Sequence, residues 1–195
     1  MSVLFNALRR ADARVVPFRA PAGFTLIELM IVLAIVAILL RMAAPGLSRQ
    51  ASARALAAQS SEFMAALRFA RAQALQRGSD VTVCASAPAA PPPSCQGAHA
   101  ADWRDGWIVF ADRDRHGVPD AQSQLLRVQQ PLQRSGGVAG TRGSISFTAA
   151  GYSTDASSHY LFSPPAEAAL DAPPAVMVCV SKQGRPRLAS TGACN

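Results

Sequence analysis

From Phe24 to Leu40 the chain is apolar at every position except Thr25 and one carboxylate, Glu28. These 17 residues are enough to cross a bilayer as a helix. Arg41 follows directly and is placed to snorkel toward the headgroups. The helical pattern then continues through "LSRQASARALAAQSSEFMAALRFARAQALQRG", where Leu56, Phe63, Leu67, Ala70, Ala74 and Leu75 recur at spacings of three and four near one face. Gly78 reads as the stop, and Pro45–Gly46 as a kink or loosening near the membrane exit. The pattern therefore predicts one helix over 24–78, with 24–40 transmembrane, whose second half needs a cover.

After Gly78 the period changes. Short β-prone runs alternate with turn-rich stretches: "VTVCAS" (81–86), "GWIVFAD" (106–112), "QLLRVQQ" (124–130), "GSISFTAAG" (143–151), "SHYLFS" (158–163) and "VMVCVS" (176–181). "APAAPPPSCQGAHAA" and "SPPAEAALDAPP" read as loops, and no internal repeat is present. The expected fold class is α+β, with a long N-terminal helix packed against a C-terminal antiparallel β domain over 79–195.

Charge sets the orientation. The chain carries a net +7, and its first 23 residues hold Arg9, Arg10, Arg14 and Arg19 against Asp12 alone. Fifteen basic and 11 acidic residues remain, a mild excess that permits contact with nucleic acid or an anionic surface without demanding it. Basic residues 9–19 belong on the cytoplasmic side, which sends the C-terminal bulk outward. No A-x-A cleavage site follows the apolar core; the small residue Gly23 precedes it instead. Four cysteines, Cys84, Cys95, Cys179 and Cys194, allow three pairings, and no C-x-x-C or Cys/His set suggests zinc. The simplest pairing is local, 84–95 with 179–194, each closing a short loop worth about 3 kcal/mol in the chain-entropy model. Disulfides imply an oxidising compartment, whereas four buried thiols would suit a cytosolic protein.

A lone acid in a membrane helix costs about 2.5–3.5 kcal/mol, so Glu28 calls for a reason. The residues G-F-T-L-I-E at 23–28, after a basic leader and before an apolar helix, resemble the type III signal of type IV prepilins and type II secretion pseudopilins. The resemblance implies that a membrane-embedded prepilin peptidase removes leader 1–23 by cutting between Gly23 and Phe24, then methylates the new N-terminus, leaving 172 residues. The cationic amine at Phe24 and Glu28 of an adjacent subunit then become tolerable in lipid as a pair, which fixes the axial stagger. A side chain at Gly23 would crowd the peptidase cleft.

Farther on, "ALRFARAQALQRG", "VTVCAS" and "WRDGWIVFADRDRHG" resemble the FimT/GspH family of minor pilins and minor pseudopilins. That resemblance implies an α/β domain on the long helix and a low-copy subunit of a pilus or pseudopilus, often near the tip. It implies neither enzymatic activity nor a cofactor. Its partners would be other pilins, the prepilin peptidase and the inner membrane, which it would cross once with the C-terminal domain periplasmic. After assembly it would lie in a pilus at the cell surface.

The tail "VMVCVSKQGRPRLASTGACN" contains G-R-P-R at 184–187, which looks like the GRxR signature of FimT proteins that bind DNA during natural transformation. Pro186 forces Arg185 toward an extended conformation. Residues two apart on an extended chain point the same way, so Arg185 and Arg187 present guanidinium groups about 6.6 Å apart along the chain. Lys182 adds a third cation, and Gly184 would let the backbone approach a partner closely. A 179–194 disulfide would reduce the ordering cost of this basic loop, 179–195. Two or three phosphate contacts suit double-stranded DNA bound through its backbone without sequence preference. No aromatic lies in the tail to stack a base. The plainer reading of the arginines is a solvated hairpin turn. With it, the chain would be a structural or priming subunit of the pilus tip, or a minor pseudopilin of type II secretion.

Other features point away from chemistry. "DRDRHGVPD" (112–120) faintly resembles a calcium loop through Asp112, Asp114, Asp120 and Gly117. His116 and Ser123 stand where acids or amides belong, however, so a turn between strands is expected. His99, His116 and His159 pair with no nucleophile, and Trp103 and Trp107 read as packing. No catalytic or metal-binding set is expected.

Overall fold

The computed structural model describes residues 23–87, 93–97, 102–120, 123–133, 135–154, 158–165, 172–189 and 194, with 42–45 described by backbone alone. Most of the expected leader and His99 lie outside the described residues. The chain divides into two compact units, Met1–Arg41 and Met42–Asn195.

Helix α1 spans Leu26–Arg77. Its start is two residues later than the apolar pattern suggested, because Thr25 acts as the cap. The Thr25 hydroxyl accepts the backbone N–H of Glu28 at 3.3 Å, satisfying one of the free donors of the first turn. The helical assignment runs unbroken across Pro45 and Gly46. In the first unit every described residue is exposed, including Leu26, Ile31, Ile35 and Leu39. By length and composition this stretch can cross a membrane.

Among its described residues the second unit holds eight strands. In chain order they are β1 (Val81–Ala85), β2 (Trp107–Ala111), β3 (Leu125–Val128), β4 (Gly137–Gly140), β5 (Ser144–Phe147), β6 (Ser158–Ser163), β7 (Val176–Val180) and β8 (Pro186–Ala189). They form two four-stranded antiparallel sheets, ordered β3-β2-β1-β5 and β4-β6-β7-β8. All six strand runs read from the sequence are present. Strands β4 and β8 are additional, so the tail expected as a loop over 179–195 is, as far as Ala189, part of a hairpin: β7, a turn at 181–185, and β8.

The helix face is the floor of the core. Leu56, Phe63, Leu67, Ala70 and Ala74 are buried, joined by Met64 and Ala66. Leu75, expected on this face, is 51% exposed. One residue beyond Ala74 turns the side chain 100° off the stripe. Phe63 is the hub: its ring lies 5.0 Å from Trp107 of β2, 4.7 Å from Tyr160 and 5.7 Å from Phe162 of β6, and 5.4 Å from Trp103. Both tryptophans are fully buried, as packing residues should be.

The outer face of the first sheet has a second, smaller core of Cys84, Ile108 and Phe110, with Cys95 packed on it. The Cys84–Cys95 disulfide and the Ser86–Cys95 bridge hold Cys95 against this face. Every residue of either core lies between Leu56 and Val180, so the head carries its own hydrophobic interior.

Candidate nucleic-acid interface

The β7–β8 hairpin is built from its turn outward. Gly184 N–H donates to the Ser181 carbonyl at 2.8 Å, and Ser181 N–H donates to the Arg185 carbonyl at 3.2 Å. Gly184 sits at φ 70°, a left-handed conformation that glycine adopts without penalty. It is also buried, and a Cβ there would overlap the Gly151 carbonyl oxygen and approach Phe147 at 3.2 Å and Arg71 Nε at 3.3 Å. The expectation that Gly184 offers its backbone to an outside partner is therefore corrected. Its missing side chain lets the turn seat against the protein's own β5–β6 connection and α1.

That seat is held by hydrogen bonds. Ser153 N–H donates to the Lys182 carbonyl at 3.0 Å, and Arg71 Nε, reaching over from the helix, donates to the Gly151 carbonyl at 2.9 Å. Thr148 N–H donates to the Tyr152 carbonyl at 2.9 Å, which closes the β5–β6 connection on itself. Tyr152 is 55% exposed beside this contact. The fold thus brings an aromatic to the turn that the tail itself lacks. Neither Tyr152 nor Arg71 was legible as a neighbour of the turn, since both are far from Gly184 in sequence.

Lys182, Arg185 and Arg187 are all exposed. Arg187 stands opposite Cys179, which stands opposite His159. His159 is exposed between buried Ser158 and Tyr160, so this row lies on the outer face of the sheet. The Cys179–Cys194 disulfide attaches Cys194 to this row. Elsewhere in the head three arginines meet acids: Arg115 with Asp80 at 2.8 Å, Arg104 with Asp102 at 3.8 Å, Arg127 with Glu62 at 3.9 Å. Among the described residues no carboxylate stands within salt-bridge distance of Lys182, Arg185 or Arg187.

The calcium-like loop is a turn between β2 and β3. Asp112 is buried and committed inward, accepting from Thr82 Oγ1 at 2.8 Å and from the N–H groups of His116 at 3.0 Å and Gly117 at 2.9 Å. Asp114, His116 and Asp120 are exposed, with ligand-type atoms within 4.8 Å of one another. Arg115 reaches away from them to Asp80. His159 is exposed on its strand.

At the other end of the chain, Glu28 lies in the first turn of α1, near the positive end of the helix dipole. Residues 19–43 match the prokaryotic N-terminal methylation motif. A methylation-type segment, a long apolar helix and an antiparallel β domain are together the features of a pilin-like subunit. Residues 59–184 match the type II transport protein GspH family, and with most of its length covered the chain belongs to that family. Two crystal structures of the type IV minor pilin FimU from Pseudomonas aeruginosa PAO1 are similar. One has 16% identity and a TM-score of 0.50, covering 69% of this chain and 87% of FimU. The other has 16% identity and a TM-score of 0.47, covering 67% and 89%. At that identity the first likeness concerns the fold. Comparison with curated protein sequences finds no match.

The seating of the turn gives a direct test. Gly184→Ala combines a left-handed backbone with a backbone overlap, and should destabilise the oxidised head by roughly 2–5 kcal/mol. Gly78→Ala has a similar φ of 63° but open space around it, and should cost only about 1–2 kcal/mol. Urea denaturation of both variants measures the difference; equal losses would contradict the inward role of Gly184.

Proposed function

We propose that this chain is a minor pilin of a type IV pilus that binds double-stranded DNA through the β7–β8 hairpin, for DNA uptake in natural transformation. The observation that carries the reading is the set of three exposed cations on a rigid hairpin, without carboxylate partners among the described residues, in a head where Arg104, Arg115 and Arg127 each meet an acid. Lys182, Arg185 and Arg187 would contact phosphates, which are the same in every sequence. The turn is preformed, so little ordering entropy opposes binding. Gly184 serves this site indirectly, by seating the turn.

The family description favours a second reading, in which the chain is a minor pseudopilin of type II transport, or a structural priming subunit, without affinity for DNA. In either reading assembly proceeds through the N-terminus. The prepilin peptidase cuts after Gly23, and the methylated amine of Phe24 meets Glu28 of the neighbouring subunit in the inner membrane. The head then faces the periplasm and, after assembly, the cell exterior.

Two measurements test these readings. The head fragment from Arg49 onward should shift duplex DNA in gels, and its log affinity should fall with log salt at a slope of about −0.9 for each phosphate contacted. Arg185→Ala with Arg187→Ala should remove most of that binding while leaving the melting temperature unchanged. A wild-type head that leaves duplex unshifted favours the pseudopilin or priming reading. For assembly, Glu28→Ala in the full chain should insert into the membrane yet be absent from sheared fibres; a variant found in fibres at wild-type levels contradicts the Glu28 pairing.

A further inference from the structure

We infer that Arg71 of helix α1 is a fourth phosphate-contacting residue of the same interface, so that the DNA-binding surface spans the helix as well as the hairpin. The inference rests on the nucleic-acid reading above and deepens it.

Arg71 is half-buried, and its Nε is committed to the Gly151 carbonyl at 2.9 Å. That single bond fixes the plane of the guanidinium. Among the described residues its terminal nitrogens have no hydrogen-bond acceptor and no carboxylate. A helix surface normally offers an arginine an acid at i±3 or i±4, but those positions around Arg71 are Leu67, Arg68, Ala74 and Leu75. The group is also close to the tip: a Cβ on Gly184 would lie 3.3 Å from Arg71 Nε, and Gly184 directly precedes Arg185.

Guanidinium groups bind phosphate through two parallel N–H donors. Anchoring Nε while the two terminal nitrogens stay unclaimed leaves a donor pair for one phosphate, already oriented and partly desolvated. Arg187 projects from the outer face of the second sheet, whereas Arg71 comes from the helix side of the same turn. A phosphate backbone lying across the tip therefore meets cations on both flanks, with Lys182 and Arg185 between them. An arginine whose work was only to staple α1 to the β5–β6 connection would need its Nε–H bond and nothing of its charge.

That distinction sets the experiment. Duplex binding by the head fragment is measured over a salt series for wild type, Arg71→Gln and Arg71→Lys, each with its melting temperature. Loss of one phosphate contact should make the log–log salt slope shallower by about 0.9 in Arg71→Gln and weaken low-salt binding about five- to tenfold. Arg71→Lys, which keeps the charge, should restore the slope. A slope in Arg71→Gln equal to wild type overturns the inference, whatever happens to stability. Should either variant misfold, arginine modification by phenylglyoxal on the wild-type head answers the same question. Added duplex should shield Arg71 together with Arg185 and Arg187; shielding of the hairpin arginines alone overturns it. A wild-type head that binds no duplex sinks the nucleic-acid reading itself, and the wild-type curve alone distinguishes that outcome.

Discussion

One aromatic ring joins the two sheets to the helix. Phe63 is in contact with Trp107 in the first sheet, Tyr160 and Phe162 in the second, and Trp103 between them. Edge-on packing of rings adds about 0.5–1.5 kcal/mol per pair beyond the area buried, and here one side chain takes part in three such contacts and a fourth, tilted one with Phe162. Ala66, Ala70 and Ala74 continue the buried face toward the helix end, small enough to let the strands approach closely. Neither sheet could cover its inner face without α1, and the helix could not bury this stripe without both sheets.

The consequence for function appears at the far end of the second sheet. Because α1 passes beneath both sheets, it brings Arg71 to the β5–β6 connection, and that connection in turn supports the β7–β8 turn. Three segments distant in sequence thus meet at Gly184, where the absence of a side chain lets them close. The Cys179–Cys194 disulfide bonds Cys194 to the outer row of the hairpin. The basic tip is therefore fixed from the helix side and from the outer face. Such preorganisation favours association with a repetitive, featureless partner, since each weak charge contact adds to the next without an ordering penalty.

Much of this was legible in the sequence, and the exceptions have physical reasons. The helix stripe and the six β-branched or aromatic runs declare themselves because burial of one face forces a period. Both disulfides match the local pairing suggested by spacing. Strand β4 is "GVAG", half glycine, and β8 begins with Pro186; each lies at an edge of its sheet, where the ladder tolerates such residues and the pattern fades. Leu75 was misplaced because hydrophobic identity alone cannot separate a residue on the stripe from one just past it. The cap at Thr25 was readable as T-x-x-E but was overshadowed by the apolar run that contains it. The inward role of Gly184 and the proximity of Arg71 and Tyr152 depend on tertiary contacts, which no local pattern encodes.

The central claim is that the helix-supported hairpin tip, and no other face of the head, meets a polyanion. Amide and arginine side-chain NMR of the isotopically labelled head, titrated with a short duplex, tests it most directly. The account predicts shift changes confined to Lys182–Arg187, the 148–154 connection and the Arg71 side chain. Changes centred on the β3 edge or the 112–120 turn, or a spectrum unmoved by saturating duplex, would contradict it.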